Sequence, residues 1–283
     1  MQSLEPGLYF VATPIGSARD ITLRGLDILG SADVLAAEDT RNTRRLLDIH
    51  GVALRGRPLL AYHDHNGAVQ RPKLLAMIRE GKSVACVSDA GTPLIADPGF
   101  ALARDAIADG QKVVAAPGAS SVLAALAVAG LPTDQFFFAG FLPHKPVARR
   151  RVLAGLAGIP GSLVIFESAR RVGRSLTDMV QELGGDRQAA LCRELTKKFE
   201  TVDRGDLAGL AATYENSTPK GEIVVVIGPA PDRAIEPEQV REMLMEAISS
   251  GNSLRDAVDL VAGRSGAARK FVYQLALETE HRK

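Results

Sequence analysis

The sequence predicts an α/β protein: two α/β domains that share a cleft, followed by a small all-α domain at the C-terminus. Three observations carry this. Short, continuous apolar runs recur through residues 8–227, helix-like stretches separate them, and after Gly228-Pro229-Ala230-Pro231-Asp232 only helical spacing remains. Runs that are apolar at every position fit strands buried on both faces, as in sheets covered by helices. Strands alternating with helices then indicate α/β architecture.

The expected strands are 8–11, 34–37, 83–87, 112–116, 136–139, 162–166, 189–192 and 222–227. One helix is expected over 101–108, between the turn Asp97-Pro98-Gly99 and the stop at Asp109-Gly110. Another runs from Ser120 or Ser121 to Gly130, with either serine able to cap its first free N–H groups. Pro117-Gly118 marks a join between two α/β halves, and Leu131-Pro132-Thr133 offers an alternative one nearby. The expected domains are therefore 1–118, 119–232 and 233–283, the last built from helical segments 237–249, 253–262 and 266–277.

Composition narrows the class. Hydrophobic residues make up 46% of the 283, enough for a sizeable core, which excludes disorder as a class. The formal net charge is only +1, so any nucleic-acid surface must come from local clustering. Cys86 and Cys192 each sit inside an apolar run, without metal-ligand or redox-motif spacing, and read as small core residues. The N-terminus lacks a basic start followed by an apolar stretch, and no apolar run reaches the length of a membrane span. The chain reads as cytoplasmic, with no membrane partner.

Two loops carry the chemistry. The first, running from Ala12-Thr13-Pro14-Ile15-Gly16-Ser17 on to Thr22, leaves the C-terminal end of the first strand, where α/β proteins place ligands. It also reads as an ordinary strand-to-helix turn with Asp20 or Thr22 as cap. The second runs from Ser88 to Gly99 and holds two Asp, two Gly and two Pro within eleven residues, more punctuation than a turn needs. Gly lets backbone approach a ligand closely and Pro stiffens the path, so this loop suits a polar cofactor. The first loop has no Gly-x-Gly-x-x-Gly, which leaves a Rossmann-type site unsupported.

Val11-Ala12-Thr13-Pro14-Ile15-Gly16, Ala37-Glu38-Asp39-Thr40-Arg41 and Asp89-Ala90-Gly91-Thr92-Pro93 together resemble the ribosomal RNA small subunit methyltransferase I family of the tetrapyrrole methylase superfamily. The likeness continues through Pro117-Gly118-Ala119-Ser120-Ser121, Phe166-Glu167-Ser168-Ala169-Arg170-Arg171, Cys192-Arg193-Glu194-Leu195-Thr196-Lys197-Lys198 and Pro219-Lys220-Gly221-Glu222. Ala96 departs from it, standing where Ser is expected. The resemblance implies S-adenosylmethionine held in the cleft, a homodimer, and 2′-O-methylation of a cytidine in the decoding region of 16S rRNA within the small subunit. Alternatives are a methyltransferase of the same fold acting on a tetrapyrrole or a protein side chain, or a non-catalytic ribosome-assembly factor.

By that resemblance the cofactor contacts are Pro14, Asp89, Gly91, Thr92, Ile95, Ser120, Ser121, Phe166, Glu194, Leu195, Lys220, Gly221 and Glu222. Phe166 reads equally as a core aromatic. For catalysis, Glu38, Asp39 and Arg41 stand where a ribose or phosphate could be oriented, or form a polar turn with a helix cap and an ion pair. His63, Asp64 and His65 are further bases by type; their His-x-His spacing alone does not make a metal site, and no metal is expected. RNA contact is expected from Arg44 and Arg45 beside Arg41, from Lys145, Arg149 and Arg150 with Arg151, and from Arg170 and Arg171 with Arg174. Lys197 adds to these, and Arg269 and Lys270 would lie on the basic face of a helix-turn-helix-like C-terminal unit, for which a structural lid or a dimer brace is the alternative reading.

Overall fold

A computed structural model describes residues 3–63, 65–96, 99–231, 237–265 and 267–280. The chain forms two compact units, Met1–Ala230 and Pro231–Lys283.

The first unit holds two five-stranded sheets. In the first sheet, β1 (Gly7–Val11), β2 (Val34–Ala37), β3 (Leu59–Ala61), β4 (Ser83–Val87) and β5 (Val113–Ala116) lie in the order β3-β2-β4-β1-β5, every neighbouring pair parallel. The helices α1 (Leu23–Ser31), α2 (Thr40–Ile49), α3 (Gly67–Arg79) and α4 (Phe100–Ala108) connect the strands. Every residue of β1, β2 and β4 is buried, as their unbroken apolar runs require. Alternation sorts them onto two cores: Leu8, Phe10, Val84 and Cys86 pack with Leu74, Ile78 and Leu102, while Tyr9, Val11, Ala85 and Val87 pack with Ile28, Leu29 and Leu47. Thr22 caps α1 by accepting from the Gly25 amide, one of the two caps expected.

The second sheet follows α5 (Ser121–Ala129), whose Val122, Ala125 and Leu126 pack on Val164, Cys192 and Val226 of that sheet. Its strands are β6 (Phe136–Phe141), β7 (Ser162–Ser168), β8 (Gln188–Arg193), β9 (Thr201–Asp206) and β10 (Glu222–Ile227), in the order β6-β7-β10-β8-β9. Only β6 and β7 are parallel; the other neighbours are antiparallel. The opposite face of this sheet packs against α6 (Pro146–Leu156), α7 (Val172–Leu183) and α8 (Leu207–Tyr214) through Leu153, Leu176 and Leu210.

Four features differ from expectation. Among the described strands, β3 and β9 have no expected counterpart. The run giving β3 is three half-buried residues, and β9 is the polar edge sequence Thr-Val-Asp-Arg-Gly-Asp, held by its ladder to β8. The β6 run, expected to be buried on both faces, is an edge strand with Phe136 and Phe137 exposed. Ser120 occupies the N-cap of α5 but makes no side-chain capping bond, while Gly130 closes the helix in the left-handed region at φ 73°. Asp97 and Pro98, named above as part of a helix start, lie outside the described residues, as does Gly266.

The second unit packs α9 (Pro237–Ser249), α10 (Leu254–Ser265) and α11 (Arg269–Glu280) around Val240, Leu244, Val258, Val261, Val272 and Leu275. Ser253 accepts from the Asp256 amide and so caps α10. Among the described residues no helix is long and apolar enough to cross a membrane.

Candidate functional site

A cavity of about 350 Å³ opens in the first unit where strand ends of both sheets meet. Ile15 enters it from the loop after β1, Gly91, Thr92 and Ile95 from the loop after β4, and Ser120 and Ser121 from the start of α5. The second sheet supplies Phe141 from the end of β6, the segment 166–169 from the end of β7 and 221–224 from the start of β10. β10 runs antiparallel to β7, so its beginning lies beside the end of β7.

The loop after β4 is held from two sides. Thr13 and Gly91 exchange both backbone hydrogen bonds at 2.9 Å, and the Thr92 hydroxyl donates to the Ala119 carbonyl at 3.0 Å. Leu94 and Ala96 sit at φ 76° and 63°, a region that disfavours side chains. Such strain persists where the surroundings over-determine the backbone, and it clusters at ligand clamps.

A second clasp joins the loop after β1 to the turn after β8. Ser17 donates its amide to the Thr196 hydroxyl at 3.1 Å. A Cβ on Gly16 would stand 2.5 Å from Lys197 Cγ and 2.6 Å from Thr196 Oγ1, so only glycine permits this approach. Glu194, itself at φ 52°, accepts from the Glu222 amide at 3.0 Å and from Lys197 Nζ at 2.9 Å. Its carboxyl fills the space beside Gly221, where a Cβ would come within 2.3 Å of it. The hydrogen bond from Lys197 holds the Glu194 carboxyl below the usual carboxylate range.

Beneath the β7 wall lies a buried carboxylate. Glu167 accepts from the Ser168 amide at 2.7 Å, Arg171 Nε at 2.9 Å and the Ser175 hydroxyl at 2.5 Å. Arg171 also donates to the Leu142 carbonyl at 2.9 Å and meets His144 Nδ1 at 2.7 Å.

Of the residues expected around a cofactor, Gly91, Thr92, Ile95, Ser120, Ser121, Phe166, Gly221 and Glu222 line this cavity. Pro14, Asp89, Glu194, Leu195 and Lys220 do not. Leu195 is core beside Ile15, Glu194 stands behind Gly221, and Lys220 is exposed with its carbonyl taken by Arg193. Sequence reasoning missed Ile15, Phe141 and Glu167 among the lining residues. Ile15 and Glu167 stood within quoted motifs; Phe141 required knowledge of the strand pairing.

The expected catalytic group forms a network at the ends of β2 and β4. Asp89 accepts from the Asp39 amide and from Asn42 Nδ2, each at 3.0 Å, and donates its own amide to Glu38 Oε2 at 3.2 Å. Asp39 caps α2 through the Arg41 amide at 2.8 Å and pairs with the Arg41 guanidinium at 2.6 Å, so the cap and the ion pair are both present. The Arg41 hydrogen bond pulls the Asp39 carboxyl down to about 2, which makes it a weak proton acceptor near neutrality. His63 and His65 pack edge to face at 6.0 Å, and Asp64 lies outside the described residues.

The expected RNA contacts divide sharply. Arg44 and Arg45 are exposed on α2 and, with Arg41, share one face of that helix. Lys145 and Arg170 are exposed, and Arg150 half-buried. Arg149 is a correction: only 4% exposed, it is bound to Asp178 at 2.6 Å and is out of reach of a phosphate. Arg171 is half-buried, its guanidinium bonded to Glu167, Leu142 and His144. Lys197 is half-buried, its ammonium paired with Glu194 and with Glu222 at 3.0 Å. Arg269 and Lys270 are exposed at the start of α11, with Arg269 ion-paired to Asp259.

Residues 7–211 match the family described as Tetrapyrrole (Corrin/Porphyrin) Methylases. A Mesorhizobium japonicum protein named ribosomal RNA small subunit methyltransferase I is 48% identical over 276 residues, covering 97% of this chain and 92% of that one. Its namesake from Xylella fastidiosa is 42% identical over 275 residues, covering 95% and 98%. The solved cobalt precorrin-4 methyltransferase of cobalamin biosynthesis superposes with a TM-score of 0.57 over 78% of this chain and 94% of that chain, at 20% identity, a likeness of fold alone.

Proposed function

Because the chain belongs to the ribosomal RNA small subunit methyltransferase I family of tetrapyrrole methylases, we propose that it is an S-adenosylmethionine-dependent enzyme that methylates a cytidine ribose 2′-hydroxyl in 16S rRNA. The target lies in the decoding region, and the substrate is the small ribosomal subunit. The active form is a cytoplasmic homodimer. Segments 1–118 and 119–232 act as two lobes around the cofactor, and 233–283 as a helix-turn-helix-like RNA-binding module.

The observation that carries the enzyme reading is the cavity, whose residues fit the cofactor. Ile15, Phe166, Ile223 and Val224 offer apolar surface to adenine, while the Thr92, Ser120 and Ser121 hydroxyls and the backbone of Gly91 and Gly221 offer polar groups to the rest. When bound, the cofactor supplies an electrophilic methyl group on a sulfonium. The chain's own task is alignment: presenting the ribose oxygen in line with that methyl group converts an improbable encounter into a favourable one. Glu38, Asp89 and Asn42 hold the start of α2 at this edge, and Arg41 orients the substrate from there. Arg44, Arg45, Lys145, Arg150, Arg170 and Lys270 supply charge for phosphates.

The test is transfer of labelled methyl groups from S-adenosylmethionine to small subunits from a strain lacking this protein, followed by digestion to nucleosides. Label in 2′-O-methylcytidine is expected. Intact cofactor binding with no label in RNA would instead point to a tetrapyrrole or protein substrate. No cofactor binding by calorimetry would point to a non-catalytic assembly factor.

A further inference from the structure

β6 is not a regular strand. Its register on β7 slips between Phe138 and Gly140, and Gly140 takes φ 66°, the left-handed region. In a regular strand residues 138 and 141 would point to opposite faces. The bulge turns both onto one ring: Phe138 and Phe141 meet Phe166 edge to face, with centroids 4.8 and 5.4 Å away. Bulges beside active sites re-aim side chains in this way. Phe141 thereby stands opposite Phe166 in the register and lines the cavity, yet it remains 61% exposed.

At about 350 Å³ the cavity holds one cofactor-sized ligand, since such sites run from roughly 300 to 1,000 Å³. The target nucleotide must therefore offer its ribose from outside, with its base at the mouth. Phe141, which lines the cavity, packs edge to face with Phe166 on one side and is otherwise largely exposed. Lys145 and Arg170 are exposed on the segments that follow β6 and β7, and these strands run parallel, so positive charge stands at the same edge for the neighbouring phosphates.

We propose that Phe141 is the stacking platform for the base of the nucleotide whose ribose is methylated, a reading that rests on the RNA substrate argued above. Stacking accepts any base, so Phe141 orients the nucleotide while its identity is read elsewhere. The experiment compares Phe141→Leu and Phe141→Trp with wild type. It measures kcat/KM for small subunits, cofactor affinity by calorimetry, melting temperature and, by light scattering, oligomeric state. Phe141→Leu should lose about ten-fold in kcat/KM at unchanged cofactor affinity, as loss of one stacked base implies, and Phe141→Trp should restore most of it. A parallel loss of cofactor affinity would overturn the proposal by assigning the ring to the cofactor. A change of oligomeric state would overturn it by assigning the ring to a subunit interface. An unchanged kcat/KM would overturn it outright. Wild type that labels no RNA would instead remove the substrate reading beneath it.

Discussion

Two groups of arginines that look alike in the sequence do different work in the fold. On α2, Arg41, Arg44 and Arg45 stand exposed on one helix face. On α6 and just before α7, Arg149 and Arg171 turn inward to Asp178 and Glu167. The clusters have similar spacing and density of charge. What separates them is a buried carboxylate within reach: the inward pair has one each, whereas α2 offers its arginines Asp39 and Asp48 at the surface. A basic run therefore marks an RNA surface only after its acidic partners are located. An arginine that neutralises a buried acid is structural, because leaving that acid unpaired in the interior is costly.

The largest effect that could break this contrast is Arg149→Ala. It strands the Asp178 carboxylate, 11% exposed, against the packed α6–α7 interface. Breaking one side of a buried pair costs about 3–5 kcal/mol, and denaturant unfolding should show a loss of that order. A loss below about 1 kcal/mol, accompanied by weaker subunit binding, would return Arg149 to the RNA surface. The intermediate effect is the Arg44→Ala/Arg45→Ala double variant. Stability should stay within about 0.5 kcal/mol, as is usual for exposed positions. Subunit affinity should fall several-fold, with a flatter dependence on salt, because each phosphate left without its arginine takes roughly 0.7–0.9 off the slope of log K against log salt. An unchanged salt slope would make α2 an ordinary solvated face.

How far each element could be read from the sequence follows the same division between local and distant partners. β1, β2 and β4 were legible because strands buried on both faces must be apolar throughout. β3 was too short to stand out, and β9 is polar because an edge strand needs burial on neither face. The loop around Gly91 was legible because its glycines and prolines exist to hold an unusual backbone. Glu167 was half legible: it stands four residues before Arg171 in a quoted motif, but its burial depends on Ser175 and the turn after β6. Phe141 was not legible, since its position depends on a bulge that shifts the register between two strands. Arg149 was misread because its partner lies 29 residues away on another helix.

Lys197 sharpens the comparison at its smallest scale, because its pairs are half-exposed and not fully buried. Its ammonium bridges Glu194 and Glu222, and Glu194 in turn fills the space beside Gly221 in the cavity wall. Lys197→Met should therefore weaken cofactor binding several-fold while leaving the subunit KM unchanged at saturating cofactor. A phosphate-contacting lysine would show the opposite split. The pair also carries a pH signature. Glu194 is held below the ordinary carboxylate pKa, chiefly by Lys197, so its stabilising contribution is full above about pH 4.3 and fades as pH falls through the lowered value. The Lys197 pKa is raised: burial opposes the shift, and the hydrogen bonds to Glu194 and Glu222 outweigh it. Its contribution is accordingly full below about pH 10.4 and fades only as pH rises through the raised value. The difference in melting temperature between wild type and Lys197→Met should then be flat from about pH 5 to about pH 9 and shrink below about pH 4. A difference that instead persists undiminished at about pH 3 would mean that the lysine does not act through its ion pairs with Glu194 and Glu222.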